Sequence, residues 1–205
     1  MSLITLLTDF GQGSPYVAAM KGVILSICPE ATIVDLTHDI PPQDVRRAAL
    51  VLDDLCDWFP PGTIHVAVVD PGVGTDRAIV YARFGSQQFL APDNGLLSRL
   101  AGRGPPEKLV RLADPAFWRE RVSATFHGRD IMAPVAARLA QGLDPDRLGP
   151  PLERLAMLDW AAARLSRACA VSRTGMPPRA CAERGCSCSA PCCHRRMRTN
   201  TITRI

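Results

Sequence analysis

A three-layer α/β domain built on a largely parallel sheet is what most of this 205-residue chain predicts. Three observations predict it. Short apolar runs alternate with segments whose apolar residues recur at helical spacing, the order that gives strands joined by crossover helices. Those runs are apolar almost throughout rather than at every second residue, as strands buried on both faces require. Finally, the polar loops TDFGQGS, DPGVGTDR and APDNG each follow such a run, and ligands of open α/β sheets gather outside the carboxyl ends of the strands.

The first run, residues 3–7, reads as a strand ending at Thr8-Asp9-Phe10-Gly11. Ser14-Pro15 then supplies an N-cap and a proline at the first helical position. Val17, Met20, Ile24 and Ile27 share one face of a helix that stops before Pro29. Residues 32–36 (TIVDL) form the next strand. A second helix begins near Pro42, with Val45, Ala48, Leu52, Leu55 and Phe59 on its apolar stripe. Arg46, Arg47, Asp53, Asp54 and Asp57 lie off that stripe, and Pro60-Pro61-Gly62 closes the helix. Residues 64–69 (IHVAVV) are the most strand-like run and lead into Asp70-Pro71-Gly72-Val73-Gly74. Residues 78–84 and 88–91 read as a hairpin through Gly85-Ser86. A short helix over 94–100, a strand over 108–112 and a helix over 131–139, ending at Gly142, complete the pattern.

Hydrophobic residues make up 47% of the chain and charged residues 21%, near the globular average. No uncharged apolar run reaches the ~18 residues of a membrane span. The N-terminus lacks a basic region and Asp9 interrupts its apolar run, so no signal peptide is expected and the cytoplasm is the default location. The net charge of +4 is a composite. Residues 1–160 hold 15 Lys and Arg against 19 Asp and Glu, whereas residues 161–205 hold nine Arg and one Glu, with six of the eight cysteines. The overall basicity is therefore not the signature of a nucleic-acid-binding face, and neither a nucleic acid nor a membrane is expected as partner.

The chain is expected to divide into a catalytic α/β domain over 1–155 and, over 156–205, a linker and an aberrant Arg/Cys-rich tail. The tail has no apolar periodicity, and its Arg-, Ala-, Pro- and Cys-rich composition is what GC-rich coding DNA yields out of frame. With an almost uncompensated charge it is expected to be irregular or disordered. Cys181, Cys186, Cys188, Cys192, Cys193 and His194 match no paired C-x₂-C spacing, so no metal is expected there.

Common catalytic signatures fail. Gly72-Val73-Gly74 is followed three residues on by Arg77, and Gly11-Gln12-Gly13 by Tyr16, so neither is a dinucleotide fingerprint. There is no phosphate-binding P-loop, no H-E-x-x-H and no G-x-S-x-G. The loops leave Asp9, Asp70, Arg77, Asp93, Asn94, His127, Arg129 and Asp130 as polar candidates. Singly, each is open to a plain reading. Asp70 either caps its own turn or faces a ligand, His127 either caps a helix or moves a proton, and Arg77 alone reads as a surface arginine.

Six stretches in order carry more weight: LLTDFG (6–11), YVAAMKGVILSICP (16–29), IVDLTHDIPPQDV (33–45), FPPGTIHVAVVDPGVGTDR (59–77), LAPDNGLL (90–97) and TFHGRDIMAPVAARLAQG (125–142). Through them, residues 1 to about 159 resemble the S-adenosyl-L-methionine hydrolases (hydroxide adenosyltransferases), whose relatives include fluorinases and chlorinases. The resemblance implies hydrolysis of S-adenosyl-L-methionine to adenosine and L-methionine, with that molecule as substrate and no cofactor. It implies that Asp70, Arg77 and His127 activate the water and that Asp9 grips the ribose hydroxyls. Phe10, Asn94 and Gly128 fall with the substrate-binding positions. Halide-using relatives carry an aromatic residue at the position of Asp70 and Tyr-Ser at those of His127-Gly128, so hydroxide is the expected nucleophile. The resemblance further implies a homotrimer whose substrate lies between one subunit's N-terminal domain and a neighbour's β-rich C-terminal domain. Nothing after Trp160 resembles that second domain, which leaves as alternative a truncated domain that binds adenosine compounds without turnover.

Such a reaction suits these residue types. Displacement at C5′ of a sulfonium expels a neutral thioether and needs no general acid. The demand falls on the nucleophile, because bulk water has a pKa of about 15.7. A carboxylate can accept a proton from it, a guanidinium can stabilise hydroxide character, and an imidazole can orient it.

Overall fold

The computed structural model describes residues 2–160; residues 161–205, where an irregular, metal-free tail is expected, lie outside the described residues. Six strands are formed: β1 (Leu3–Thr8), β2 (Thr32–Thr37), β3 (Ile64–Val68), β4 (Ile79–Phe84), β5 (Gln87–Pro92) and β6 (Lys108–Arg111). They make one sheet in the order β2-β1-β3-β5-β4-β6. The first four in that order run parallel. β4 runs against both β5 and β6, so the sheet is largely parallel with one reversed strand, as expected.

Helices cover both faces. α1 (Pro15–Ile27) and α4 (Ala133–Ala140) share a core with Ile4, Leu6, Ile64, Val66 and Val68. α2 (Val45–Leu55) and α3 (Ser98–Ala101) share another with Leu7, Ala67, Val69, Val80 and Phe89. Successive residues of a strand point to opposite faces. Because both faces of the central strands β1, β3 and β5 are buried, alternation in space appears there as a largely apolar run in sequence.

The chain passes from β1 outward to β2 and then returns to the far side of β1 as β3. Loops leaving the carboxyl ends of β1 and β3 therefore diverge, and a crevice opens between them. α1 begins as predicted, with Ser14 accepting from the Tyr16 N–H and Pro15 in the first turn.

Four local differences from expectation have identifiable causes. α2 starts at Val45 rather than near Pro42, because Pro41 closes a turn by accepting from the Asp44 N–H and Asp44 caps the helix through the Arg47 N–H at 2.8 Å. Asp53, expected on the polar side, is buried and is bridged by Arg99 and Arg103. Of the helix expected over 94–100 only Ser98–Ala101 forms, since Asn94 caps a turn and Gly95 takes a φ of 93°. The helix expected from residue 131 is preceded by a turn of π-helix, Gly128–Met132.

β3 carries one polar side chain inside the sheet, His65, which is wholly buried. Its Nδ1 lies 2.7 Å from Oγ1 of Thr5, its register partner on β1. The ring stacks on Phe89 and meets Phe59 edge-on. Neither His65 Nε2 nor the buried Gln87 Oε1 has a partner at hydrogen-bonding geometry, so the attraction between these side chains does not offset burial, which pushes the imidazole down to about 4. The folded state thus keeps His65 neutral while the unfolded chain protonates it near its usual value, and stability falls as pH drops from about 6.5 to 4. The shift is worth roughly 3 kcal/mol. Urea unfolding at pH 7 and pH 4.5 is expected to show most of that loss, and His65→Leu is expected to remove it.

Candidate functional site

Asp9 leaves the end of β1, Asp70 lies two residues beyond β3, Arg77 precedes β4, and His127 precedes the π-helical turn. The fold brings them to one place. Arg77 Nε lies 2.9 and 2.7 Å from Asp70 Oδ1 and Oδ2, and Nη2 also donates to Oδ2. The same Nη2 lies 2.9 Å from His127 Nδ1. A guanidinium only donates, so Nδ1 accepts and a neutral His127 carries its proton on Nε2. Burial, reinforced by the Arg77 charge, holds His127 below its ordinary pKa, against the weaker pull of Asp70 and Asp130. The ion pair itself is largely shielded, with the Arg77 and Asp70 side chains 11% and 8% exposed.

A cavity of about 170 Å³ opens beside this cluster, lined by Asp9, Phe10, Gln43, Asp70, Phe126, His127 and Gly128, among others. It is smaller than the ~300–1,000 Å³ of sites that enclose drug-sized molecules. Phe10 and Phe126 of the lining meet each other and the exposed Tyr16 edge-on or tilted, with centroids 5.0–5.8 Å apart. Asn94 is not among the lining residues. Its Nδ2 donates to the Val69 carbonyl and its Oδ1 accepts from the Leu96 N–H, which fixes the loop behind Asp70.

Asp130 was among the polar candidates of the loops, whereas Gln43 and His38 were not singled out by the sequence. Asp130, wholly buried, accepts from Arg129 and from the Ser123 N–H and so pins the loop that carries Phe126 and His127. These partners hold its carboxyl below the usual range despite burial. Gln43 donates its backbone N–H to Asp9 Oδ2 at 2.8 Å. It does so from a φ of +64°, a conformation that costs a residue with a Cβ roughly 1–2 kcal/mol. No side-chain pattern marks such a residue in advance. His38, buried, lies 2.9 Å through Nδ1 from Thr8 Oγ1 and steadies the end of β1.

A larger cavity, about 270 Å³, lies at the opposite end of the sheet near Cys56, Gly85 and Arg103. Burial pushes its Cys56 thiol up to about 12, so it offers no thiolate nucleophile at neutral pH. Among the described residues no group of three His, Cys, Asp or Glu side chains is arranged to hold a metal ion. Nor is any helix among them long and apolar enough to cross a membrane.

Fold and site together define a doubly wound α/β domain with a carboxylate–guanidinium–imidazole cluster at its strand carboxyl ends. More particularly, residues 4–149 match the SAM hydroxide adenosyltransferase N-terminal domain, and the chain belongs to that family. It is 44% identical over 171 residues to the (R)-S-adenosyl-L-methionine hydrolase of Thermus thermophilus, covering 78% of this chain and 66% of that one. With the (R)-S-adenosyl-L-methionine hydrolase of Salinispora arenicola it shares 46% identity over 151 residues, 73% of this chain and 58% of that one. The crystal structure of an uncharacterized conserved protein from Thermotoga maritima superposes with a TM-score of 0.74 at 41% identity, covering 76% of this chain and 60% of that one. The chain thus spans about three fifths to two thirds of the length of these relatives.

The loop between Asp70 and Arg77 depends on close approach at one glycine. A Cβ on Gly74, whose φ is +80°, would stand 2.6 Å from the Ala124 carbonyl oxygen. Gly62 has a similar φ of +84° but open space around it. Gly74→Ala is therefore expected to cost about 2 kcal/mol or more in denaturant unfolding, and Gly62→Ala only the smaller backbone penalty of about 1 kcal/mol.

Proposed function

We propose that this chain hydrolyses S-adenosyl-L-methionine to adenosine and L-methionine. The observation that carries the reading is the bridging of Asp70 and His127 by one guanidinium at the edge of a cavity that also holds Asp9. In the proposed step, water oxygen bonds to ribose C5′ while the C5′–S pair leaves with sulfur, turning the sulfonium into neutral methionine thioether. Asp70 keeps acceptor capacity beyond its Arg77 bonds and takes the proton that the water loses. His127, with its proton on Nε2, orients the oxygen as a donor, and Arg77 steadies the hydroxide character that develops. Asp9 holds the ribose hydroxyls so that the oxygen meets carbon opposite sulfur at ~3–3.5 Å. Phe10 and Gly128 line the substrate side, and Asn94 supports the nucleoside side through its loop. The protein requires no cofactor and works in the cytoplasm as a homotrimer, on the pattern of the family.

A second reading is favoured by the small cavity: a domain that binds adenosine compounds without turnover. Incubation with S-adenosyl-L-methionine, followed by chromatography for adenosine and methionine, separates the two. Turnover is expected, and binding of adenosine alone would favour the second. Asp70→Ala is expected to abolish product while leaving the far-ultraviolet circular dichroism unchanged. Arg77→Lys keeps the charge but loses the fork that holds both partners, and is expected to lower kcat by about 10²-fold. Because burial and the Arg77 charge lower the pKa of His127, its neutral form persists to more acidic solution than that of an ordinary imidazole. The acid limb of the pH–rate profile is expected to be centred below the ordinary imidazole range, about 6.5; a fall centred above it would contradict the neutral donor.

A further inference from the structure

We infer that Gln43 is a positioning residue for Asp9, acting through its main-chain N–H and not through its side chain. Among the described residues it is the one non-glycine with a positive φ, 64°. That strain is not compensated by packing, because Gln43 is exposed. It is imposed from both sides. Pro41 and Pro42 precede it, its carbonyl accepts from the Val45 N–H at 2.9 Å, and Asp44 is held as the cap of α2. What the conformation yields is one contact at the cavity, the 2.8 Å hydrogen bond to Asp9 Oδ2. A strained backbone that persists beside a cavity, held by its neighbours and aimed at a carboxylate, is the pattern of a preorganised site.

The contact belongs to a larger tie between the loops after β1 and β2. Gly11 N–H donates to the His38 carbonyl at 2.8 Å, and Gln12 Nε2 to Asp39 Oδ2 at 2.7 Å. Those bonds fix the loops to each other; only the Gln43 bond reaches the carboxylate that lines the cavity. With Oδ2 held by the main chain, Asp9 presents Oδ1 to a ligand hydroxyl in a fixed orientation. This inference rests on the proposed role of Asp9 in holding ribose hydroxyls, and it assigns to the backbone of residue 43 the discrimination between a ribose and a sugar lacking those hydroxyls.

The test compares Gln43→Gly, which keeps the N–H and accepts a positive φ freely, with Gln43→Val, whose branched side chain resists that conformation. Calorimetry with adenosine and with 2′,3′-dideoxyadenosine reads the discrimination. Gln43→Gly is expected to bind adenosine within about twofold of the unaltered protein and Gln43→Val about tenfold more weakly, with dideoxyadenosine affinity nearly unchanged in both. If Gln43→Gly loses as much as Gln43→Val, the side chain is the contact and the inference is overturned. Equal weakening toward both nucleosides overturns it too, as general damage to the fold. If the unaltered protein does not bind adenosine measurably, turnover of S-adenosyl-L-methionine decides the proposed function, and amide exchange decides the positioning bond by itself. Exchange of the Gln43 N–H is then expected to quicken about tenfold in Asp9→Ala and to remain slow in Asp9→Asn, which keeps an acceptor oxygen. Unchanged exchange in Asp9→Ala overturns the inference.

Discussion

The guanidinium of Arg77 is the constraint around which the rest of the site is arranged. A carboxylate and a cation that are each about nine-tenths shielded from water cannot stand alone at that depth. Arg77 meets the requirement with a fork on Asp70 and uses the remaining direction of Nη2 to fix the His127 tautomer. One permanently charged side chain therefore sets both the orientation of an acceptor and the proton position of a donor. A lysine could supply the charge but not the two directions at once. The loop between residues 70 and 77 is shaped to let the fork close. The Val73 N–H donates to the Asp70 carbonyl, Thr75 turns back onto Gly72, and Gly74 passes beneath the Ala124 carbonyl with no room for a side chain.

That geometry is only as firm as the strands that deliver it. Asp9 and Asp70 leave neighbouring parallel strands whose register is set from Ile4 opposite Ile64 to Thr8 opposite Val68. Helices on both faces bury those strands, so a slip of one residue would exchange the two cores and is excluded by packing. His65 belongs to the same logic. Its bond to Thr5 ties β3 to β1 inside the sheet, and its neutrality is the condition of its burial. On the other side of the cavity the wholly buried Asp130 does for the His127 loop what the sheet does for Asp70.

Much of the fold was legible because it obeys local rules. Ser14-Pro15 marked the start of α1, Gly85-Ser86 the hairpin, and the doubly buried strands appeared as largely apolar runs. Misreadings arose where tertiary contacts override pattern. Asp53 fits the polar face of α2 until Arg99 and Arg103, some fifty residues on, are seen to bury and neutralise it. For the site, the loops were legible from their place after strands, but no spacing joins Asp70 to His127, 57 positions apart. Their assignment came from the ordered set of six family stretches. Gln43 was invisible for a different reason. Its contribution is a backbone dihedral, and glutamine carries no mark of one.

The smallness of the cavity bears on which nucleophile such a site can use. An anionic nucleophile must shed a tightly held water shell before it can react, which demands an enclosed pocket and dipoles that replace the shell. Water as nucleophile needs neither. It arrives already solvated, and the site has only to choose one molecule, orient it and draw off its proton. On the proposed reading, an Asp70 acceptor and an Nε2–H donor beside a cavity of about 170 Å³ would meet that need. On the proposed function, a cavity of this size would enclose only part of the substrate, and affinity would depend on how much of the substrate other surfaces cover.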